Sequence, residues 1–467
     1  MPNIWHGFQF NPRYKMRVWD GKFRAYNIKT HILPYGLVKD LIKWCVSQGT
    51  TFQLEGFHDT ELYEQLDENN YQAQIKDNMK NAPFEIRDYQ DRAVRAALTN
   101  HKGILLSCTS SGKSLMIYNI IRCIRKQNFK KILLIVPNIM LVDQMYDDFT
   151  DYGYEDMEHE VERLGGGHEA YFDKPVLIST WQSLQNKEND FFEKYDAIFV
   201  DEVHSVKGKE LTRIAKLCEN ARFKIGTTGT LPTDKADLLQ IKSVMGDVIF
   251  ELKSKELIDV GVLTKIKIAN IIAKYPSDFV LQNKGRSYPE EVKMVEEYED
   301  RNKVLKMIID HTDDKHNILI LVNHLKHVKL MQEWFATNYP GKKISTITGA
   351  VSGKERGEIR TGIENEDGTI LLATYATMST GVNMPKLHDV ILFANSKSKI
   401  KVLQSIGRGL RKHKTKDQII LYDIADDLSY KTRTGRVIEN YLMKHWHERM
   451  TYYKEQEFPT ITTSVNI

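Results

Sequence analysis

A lysine between a glycine and a serine can hold a polyphosphate, and Gly112-Lys113-Ser114 is such a triplet. It closes the run Ser107-Cys108-Thr109-Ser110-Ser111-Gly112-Lys113-Ser114. Backbone N–H groups of Thr109, Ser110, Ser111 and Gly112 would face phosphate oxygens, Lys113 would reach the β and γ groups of ATP, and the Ser114 hydroxyl would ligate Mg2+. The run departs from the strict phosphate-loop form, with Ser107 at the first glycine position and a single glycine before the lysine. Farther on, the apolar run 197–200 ends in Asp201-Glu202-Val203-His204. There Asp201 would complete the Mg2+ shell and Glu202 would polarise the attacking water. The two motifs together predict ATP hydrolysis. Two further features fit the same chemistry. Gln90, in Arg87-Asp88-Tyr89-Gln90, can address both hydrogen-bonding atoms of an adenine edge, or simply start a solvated helix. Arg408 and Arg411, in Gln404-Ser405-Ile406-Gly407-Arg408-Gly409-Leu410-Arg411, are three positions apart and share a helix face. They would stabilise γ-phosphate charge in the transition state, or bind polyanions without catalysis.

Such groups need rigid elements to aim them. The run 103–106 reads as a buried parallel strand feeding the loop, and 115–121 as a helix packed on a sheet. Strands are predicted at 131–137, 175–180 and 223–232, with a helix after the first of them, running through Gln144 and Phe149. Asp201 lies 88 positions after Lys113, a spacing that fits one doubly wound domain. The triple glycine at 165–167 reads as a flexible loop. A second alternating block has strands at 318–322, 343–348, 369–373, 389–393 and 418–422, and no phosphate loop of its own. From Lys397 to Lys416 there are eight Lys/Arg and no Asp/Glu.

The first 80 residues differ in texture. Between Phe8 and Lys29, aromatic residues (Trp19 and Phe23 among them) interleave with bases including Arg13, Lys15 and Arg17. Alternation on either side of Asp20-Gly21 predicts a hairpin, and Leu37, Leu41, Trp44 and Cys45 fall on one face of a following helix. The bases could neutralise phosphates while rings stack on bases of a nucleic acid, or the rings could be the core of a small domain.

At 467 residues the chain can hold two to four domains, and a net charge of +4 leaves any nucleic-acid surface to local clustering. Its apolar runs are too short to span a bilayer, and its four scattered cysteines suit neither a disulfide frame nor a zinc site, which predicts a reducing, cytoplasmic setting.

In this order the motifs resemble superfamily 2 helicases, over about residues 84–423. The resemblance implies two RecA-like domains with ATP between them. It assigns Arg87 and Gln90 to adenine, 108–114 to motif I, 136–144 to motif Ia, 179–182 to motif Ic and 201–204 to a DExH box. Thr228 and Thr230 would be the coupling motif III, 374–383, with Gly381 and Asn383, would be motif V, and Gln404 to Arg411 motif VI. Asn383 stands where aspartate is common, and Ser110 where glycine is usual. Residues 10–14, 19–21, 33–37, 397–404 and 411–413 extend the similarity to the UvsW-type recombination helicases of phage, a family acting on branched DNA.

The expected fold is therefore α/β: two tandem RecA-like, doubly wound parallel-sheet domains (81–255 and 256–467, the latter with a helical tail) behind a small α+β nucleic-acid-binding domain (1–80). The expected activity is an ATP- and Mg2+-dependent helicase. Its substrates would be single-stranded, duplex and branched DNA and RNA–DNA hybrids. It would act as a monomer in the cytoplasm, that of the host if phage-encoded. Resemblance adds Thr180, Gln182 and Thr374 as DNA contacts. Two alternatives remain open: a duplex-DNA translocase motor of a restriction or repair machine, and a non-hydrolysing DNA-binding scaffold clamped by ATP. An intact Glu202, Arg408 and Arg411 speak against the second.

Overall fold

A run such as Ile132-Leu133-Leu134-Ile135-Val136 has no polar face to offer water, so it folds as an inner strand covered on both sides. A computed structural model describes residues 3–4, 9, 15–17, 20, 22–53, 66–127, 129–205, 208–232, 234–349, 351, 353–378, 386–394 and 412–467. It divides into two units, Met1–Leu252 and Lys253–Ile467.

The first unit opens with two short strands, β1 (Asn3–Ile4) and β2 (Lys22–Phe23), paired antiparallel. The hairpin expected at Asp20-Gly21 is thus replaced: β2 takes β1 as its partner, and Asp20 instead accepts from Arg24, in an ion pair, and from the Lys22 N–H. Seven further strands are β3 (Lys102–Ser107), β4 (Ile132–Val136), β5 (Val161–Leu164), β6 (Val176–Thr180), β7 (Ala197–Val200), β8 (Phe223–Thr228) and β9 (Val248–Leu252). They form one sheet in the order β5-β6-β4-β7-β8-β3-β9, every pairing parallel. Helices between them cover the faces, and Ile104, Leu133, Ile135, Ile198 and Val200 meet Phe192 and Ile214 in a continuous core.

The helix Lys113–Lys126 is buried almost all round, from Leu115 to Ile121. Against it lies the helix Glu68–Asn78. Buried Asn78 donates to Asn119 Oδ1 (3.4 Å), and its carbonyl accepts from Tyr118 (2.8 Å). The last helix before residue 81 is thus packed into this unit.

The front segment docks on the helix Lys235–Met245 and the start of β3. Gly36 lies so close to the helix Lys235–Met245 that a Cβ there would meet the Lys242 carbonyl at 2.0 Å. Lys102, at the start of β3, sits 3.9 Å over the Tyr35 ring. In the helix Val38–Ser47 the expected apolar face is split. Leu37 (5% exposed) and Cys45 (9%) are inside, whereas Leu41 (45%) and Trp44 (57%) face solvent.

The second unit contains β10 (Lys265–Lys274), β11 (Ile318–Val322), β12 (Ile344–Ile347), β13 (Ile370–Thr374), β14 (Asp389–Leu392), β15 (Gln418–Asp427) and β18 (Thr460–Asn466), with a small hairpin β16 (Tyr430–Lys431) and β17 (Val437–Ile438). Its seven-stranded sheet has the order β12-β13-β11-β14-β15-β10-β18, again all parallel. The stretch expected as a helical tail is more than a helix. Tyr441–Glu455 returns the chain so that β18 becomes an edge strand of this sheet. Buried Arg449 forks onto Asp423 (2.7 and 2.8 Å), which also accepts from Tyr453 (2.7 Å), and this pins the helix to β15.

Candidate functional site

Because all seven strands of the first sheet run one way, their carboxyl ends form a single row, the edge where ligands of doubly wound sheets bind. Along it follow Gly165 after β5, Thr180 ending β6, Asn138 after β4, Asp201 after β7, Thr228 ending β8, and the phosphate loop after β3. The loop is also tied to the end of β9, where the Cys108 N–H donates to the Leu252 carbonyl (3.2 Å).

The loop's curvature comes from two left-handed residues, Ser110 (φ 67°) and Gly112 (φ 81°). Gly112 is doubly required, since a Cβ there would lie 2.4 Å from Gln90 Nε2. Ser110 explains why glycine is usual at its position: it holds a conformation that costs an L-residue about 1–2 kcal/mol. Ser107 and Ser111 hydroxyls bond across the base of the loop at 2.7 Å.

Lys113 Nζ lies 3.2 Å from Glu202 Oε1 and donates to the Ser107 carbonyl at 3.5 Å. Asp201 Oδ1 accepts from Thr227 Oγ1 (2.6 Å) and from the Glu202 N–H (3.0 Å). Glu202 itself is left-handed (φ 47°), a strained turn that re-aims its carboxylate straight after the strand. On its far side stands His204, with Nδ1 3.3 Å from Glu202 Oε2 and 2.6 Å from Thr228 Oγ1. The Thr228 hydroxyl also lies 2.8 Å from the Thr230 carbonyl and 3.3 Å from Glu202 Oε2, either of which can accept its proton. The DExH box and Thr228–Thr230 are thus one bonded network.

Electrostatics sort the three charged groups. Burial pushes the Lys113 ammonium toward neutrality, but the Glu202 and Asp201 charges outweigh it and raise its pKa. For Glu202, burial is outweighed by Lys113 and His204, which hold the carboxylate below its usual range and ionised. Burial and the Glu202 charge raise Asp201, a carboxylate short of positive charge.

The adenine-side residues are coupled to the loop. The Arg87 N–H donates to Gln90 Oε1 (3.0 Å), and Gln90 Nε2 donates to the Ser111 carbonyl (2.9 Å). Gln90 therefore ties the helix Asp88–Asn100 to the phosphate loop, with Arg87 at its N-cap.

Thr180 and Thr374 occupy equivalent places in their own sheets. Each ends a strand and is buried, its hydroxyl capping a one-turn helix by accepting from the N–H of Ser183 (3.2 Å) or Thr377 (3.4 Å). The shared pattern is legible as Thr-Trp-Gln-Ser and Thr-Tyr-Ala-Thr. Gln182, next to the first cap, is exposed. The triple glycine is not slack. All three residues have positive φ (109°, 69° and 92°), and Cβ atoms at the first two would meet Ser183 Oγ at 2.8 Å and Ile139 Cγ2 at 2.5 Å. The turn thereby joins the start of the helix Ile139–Asp151 to the Thr180 cap.

Of the expected front contacts, Lys15 and Arg17 are exposed, Phe23 lies on β2, and Arg13 and Trp19 fall outside the described residues. Gly381, Asn383, Gln404, Arg408 and Arg411 also lie outside them. Two residues that the motifs do not name complete the site: Thr227 on Asp201, and Tyr152, whose hydroxyl is 2.7 Å from Ser114 Oγ.

Comparison with known proteins matches residues 83–233 to the family described as type III restriction enzyme, res subunit, 300–413 to the helicase conserved C-terminal domain, and 4–55 to the N-terminal domain of the DNA helicase UvsW. The ATP-dependent DNA helicase uvsW of Enterobacteria phage T4 is 32% identical over 473 residues, covering 99% of this chain and 93% of that protein. The DNA 3'-5' translocase XPB2 of Sulfurisphaera tokodaii is 21% identical over 72% of this chain and 81% of its own. The fold also matches Mss116p bound to single-stranded RNA and AMP-PNP (TM-score 0.58, 14% identity, 88% of this chain and 81% of that one).

Proposed function

This chain belongs to the UvsW family of ATP-dependent DNA helicases, and from that premise we propose that it remodels branched DNA: forks, four-way junctions, displacement loops and R-loops. The observation that supports this most is the row of groups at the carboxyl edge of the first sheet, where Lys113, Asp201 and Glu202 converge and join through His204 to Thr228.

In the proposed cycle Lys113 exchanges Glu202 for the β and γ phosphates of ATP. Glu202, already ionised and steadied by His204, then accepts a proton from the attacking water. A serine hydroxyl and a buried carboxylate short of positive charge make a hard-oxygen donor set that suits Mg2+, and Ser114 and Asp201 would hold it. Bound there, the ion screens the charge on the transferring phosphate. Arg408 and Arg411 complete the site from the second unit, and Gln404, Gly381 and Asn383 line it. Thr230 relays the state of Glu202 toward the DNA. Thr180, Gln182 and Thr374 contact the DNA, and their capping bonds fix where the two threonines sit. Lys15 and Arg17, with Arg13, Trp19 and Phe23, engage the branch. The domain limits proposed are 1–80, 81–255 and 256–467. The enzyme works as a monomer in the cytoplasm, and RNA–DNA hybrids are among its substrates. No helix among the described residues is long and apolar enough to cross a membrane.

A second reading, translocation along duplex DNA without strand separation, is favoured by the similarity to XPB2 and to restriction-enzyme motors. One experiment separates the two. ATPase and unwinding are measured on single-stranded, duplex, forked, four-way and R-loop substrates. Strongest stimulation with strand exchange on forks and junctions is expected. Equal stimulation by linear duplex, with no product strands released, would replace the first reading by the second.

A further inference from the structure

A serine that gives a lone pair to a cation must point its own proton elsewhere. Asp201 Oδ1 accepts from Thr227 and from the Glu202 N–H, whereas Ser114 Oγ finds its neighbour elsewhere. The Tyr152 hydroxyl, 38 positions from Ser114 in sequence, stands 2.7 Å from Ser114 Oγ. Tyr152 is well fixed. It is the C-cap of the helix Ile139–Asp151, and its N–H donates to the Asp148 carbonyl (2.9 Å). Its ring packs edge-on against Tyr118 (centroids 5.5 Å apart), one turn beyond Ser114 on the phosphate-loop helix, and against Phe84 (5.7 Å). The next residue, Gly153, is left-handed (φ 81°) and pressed so close to Asn81 that a Cβ would lie 2.6 Å from it. The phenol oxygen is thereby presented to Ser114 by packing on three sides.

We propose that Tyr152 is a positioning residue for the phosphate loop: its hydroxyl accepts the Ser114 proton and turns the serine lone pairs toward the metal of MgATP. This rests on Ser114 being a metal ligand, as proposed above. Groups that orient a ligand in this way set metal affinity through the ligand, commonly by tenfold or more.

Tyr152→Phe keeps the ring and removes only the oxygen, so its contacts with Tyr118 and Phe84 stay. Binding of a fluorescent ATP analogue to the full-length chain is titrated with Mg2+ and repeated in EDTA, alongside a melting curve. Tyr152→Phe should need roughly 10-fold more Mg2+ for half-maximal binding, with unchanged binding in EDTA and an unchanged melting temperature. In a Ser114→Ala background the same substitution should shift nothing further. An unshifted Mg2+ requirement in folded Tyr152→Phe, or equal weakening with and without Mg2+, would overturn the proposal, as would a further shift in the Ser114→Ala background. If Ser114→Ala itself leaves the Mg2+ requirement untouched, it is the assignment of Ser114 as a ligand that fails.

Discussion

Ser110 holds a left-handed backbone that glycine adopts freely. Ser110→Gly should therefore raise unfolding stability by about 0.5–1 kcal/mol, the relieved strain less the extra chain entropy of glycine. A denaturant midpoint no higher than that of the parent would refute this. The Lys113–Glu202 pair separates two variants that a motif alone would treat alike. Lys113→Ala strips a buried carboxylate of its cation and should lose both ATP turnover and stability. Glu202→Gln removes the base without stranding a charge, so it should bind ATP as the parent does and hydrolyse it at least about 100-fold more slowly. Turnover near the parental rate would remove Glu202 as the base. At this scale the sequence was most informative about groups joined along the chain: the loop, the acidic pair and the capping threonines are contiguous runs. Tyr152 and Thr227 were not legible as site residues because their partners, Ser114 and Asp201, are 38 and 26 positions away.

Among the elements, the described chain that follows motif VI is held by a lysine in an unusual place. Lys416 is buried and donates to the Leu387 carbonyl at 2.7 Å, and burial pulls its pKa down to about 7. The unfolded chain, with an ordinary lysine near 10.4, then binds more protons than the folded one between about pH 7 and 10. Stability from this group is lowest below that window and rises through it. Comparing the parent with Lys416→Met should show the balance moving toward the parent by on the order of 3 kcal/mol from pH 6 to pH 10. Parallel pH profiles would rule out a depressed lysine. The elements most open to misreading were those whose partner is distant. The Asp20-Gly21 turn signal was real local chemistry, yet β2 found β1 instead, and Trp44, apolar at a core-like spacing, faces water because only one side of its helix is covered. The interior strands were legible because an apolar run of four or five residues can be satisfied only by covering both faces.

For the molecule as a whole, both sheets followed from strand–helix alternation, since parallel neighbours require a crossover and the crossovers here are helices. Their sharing of labour is visible too: one block carries the phosphate loop, and the other carries the basic motif with Arg408 and Arg411. If those arginines reach the γ-phosphate only when the second unit closes, replacing either with alanine should leave ATP affinity nearly intact and slow hydrolysis by about 10³-fold. Unchanged single-turnover rates in both variants would exclude them from the transition state. Docking of the front segment at the start of β3 was beyond sequence reasoning, because it depends on Gly36 meeting a helix some 200 positions later.

The chain passes from the first unit to the second at Leu252, and the carbonyl of that residue is fastened to the Cys108 N–H inside the phosphate loop. In mechanical terms the exit of the chain is bolted to the trigger. A displacement of the phosphate loop is therefore felt directly at the residue where the chain leaves the first unit. A short flexible insertion after Leu252 would therefore act as backlash in a gear train, leaving the loop able to load its nucleotide while the stroke is lost between trigger and arm.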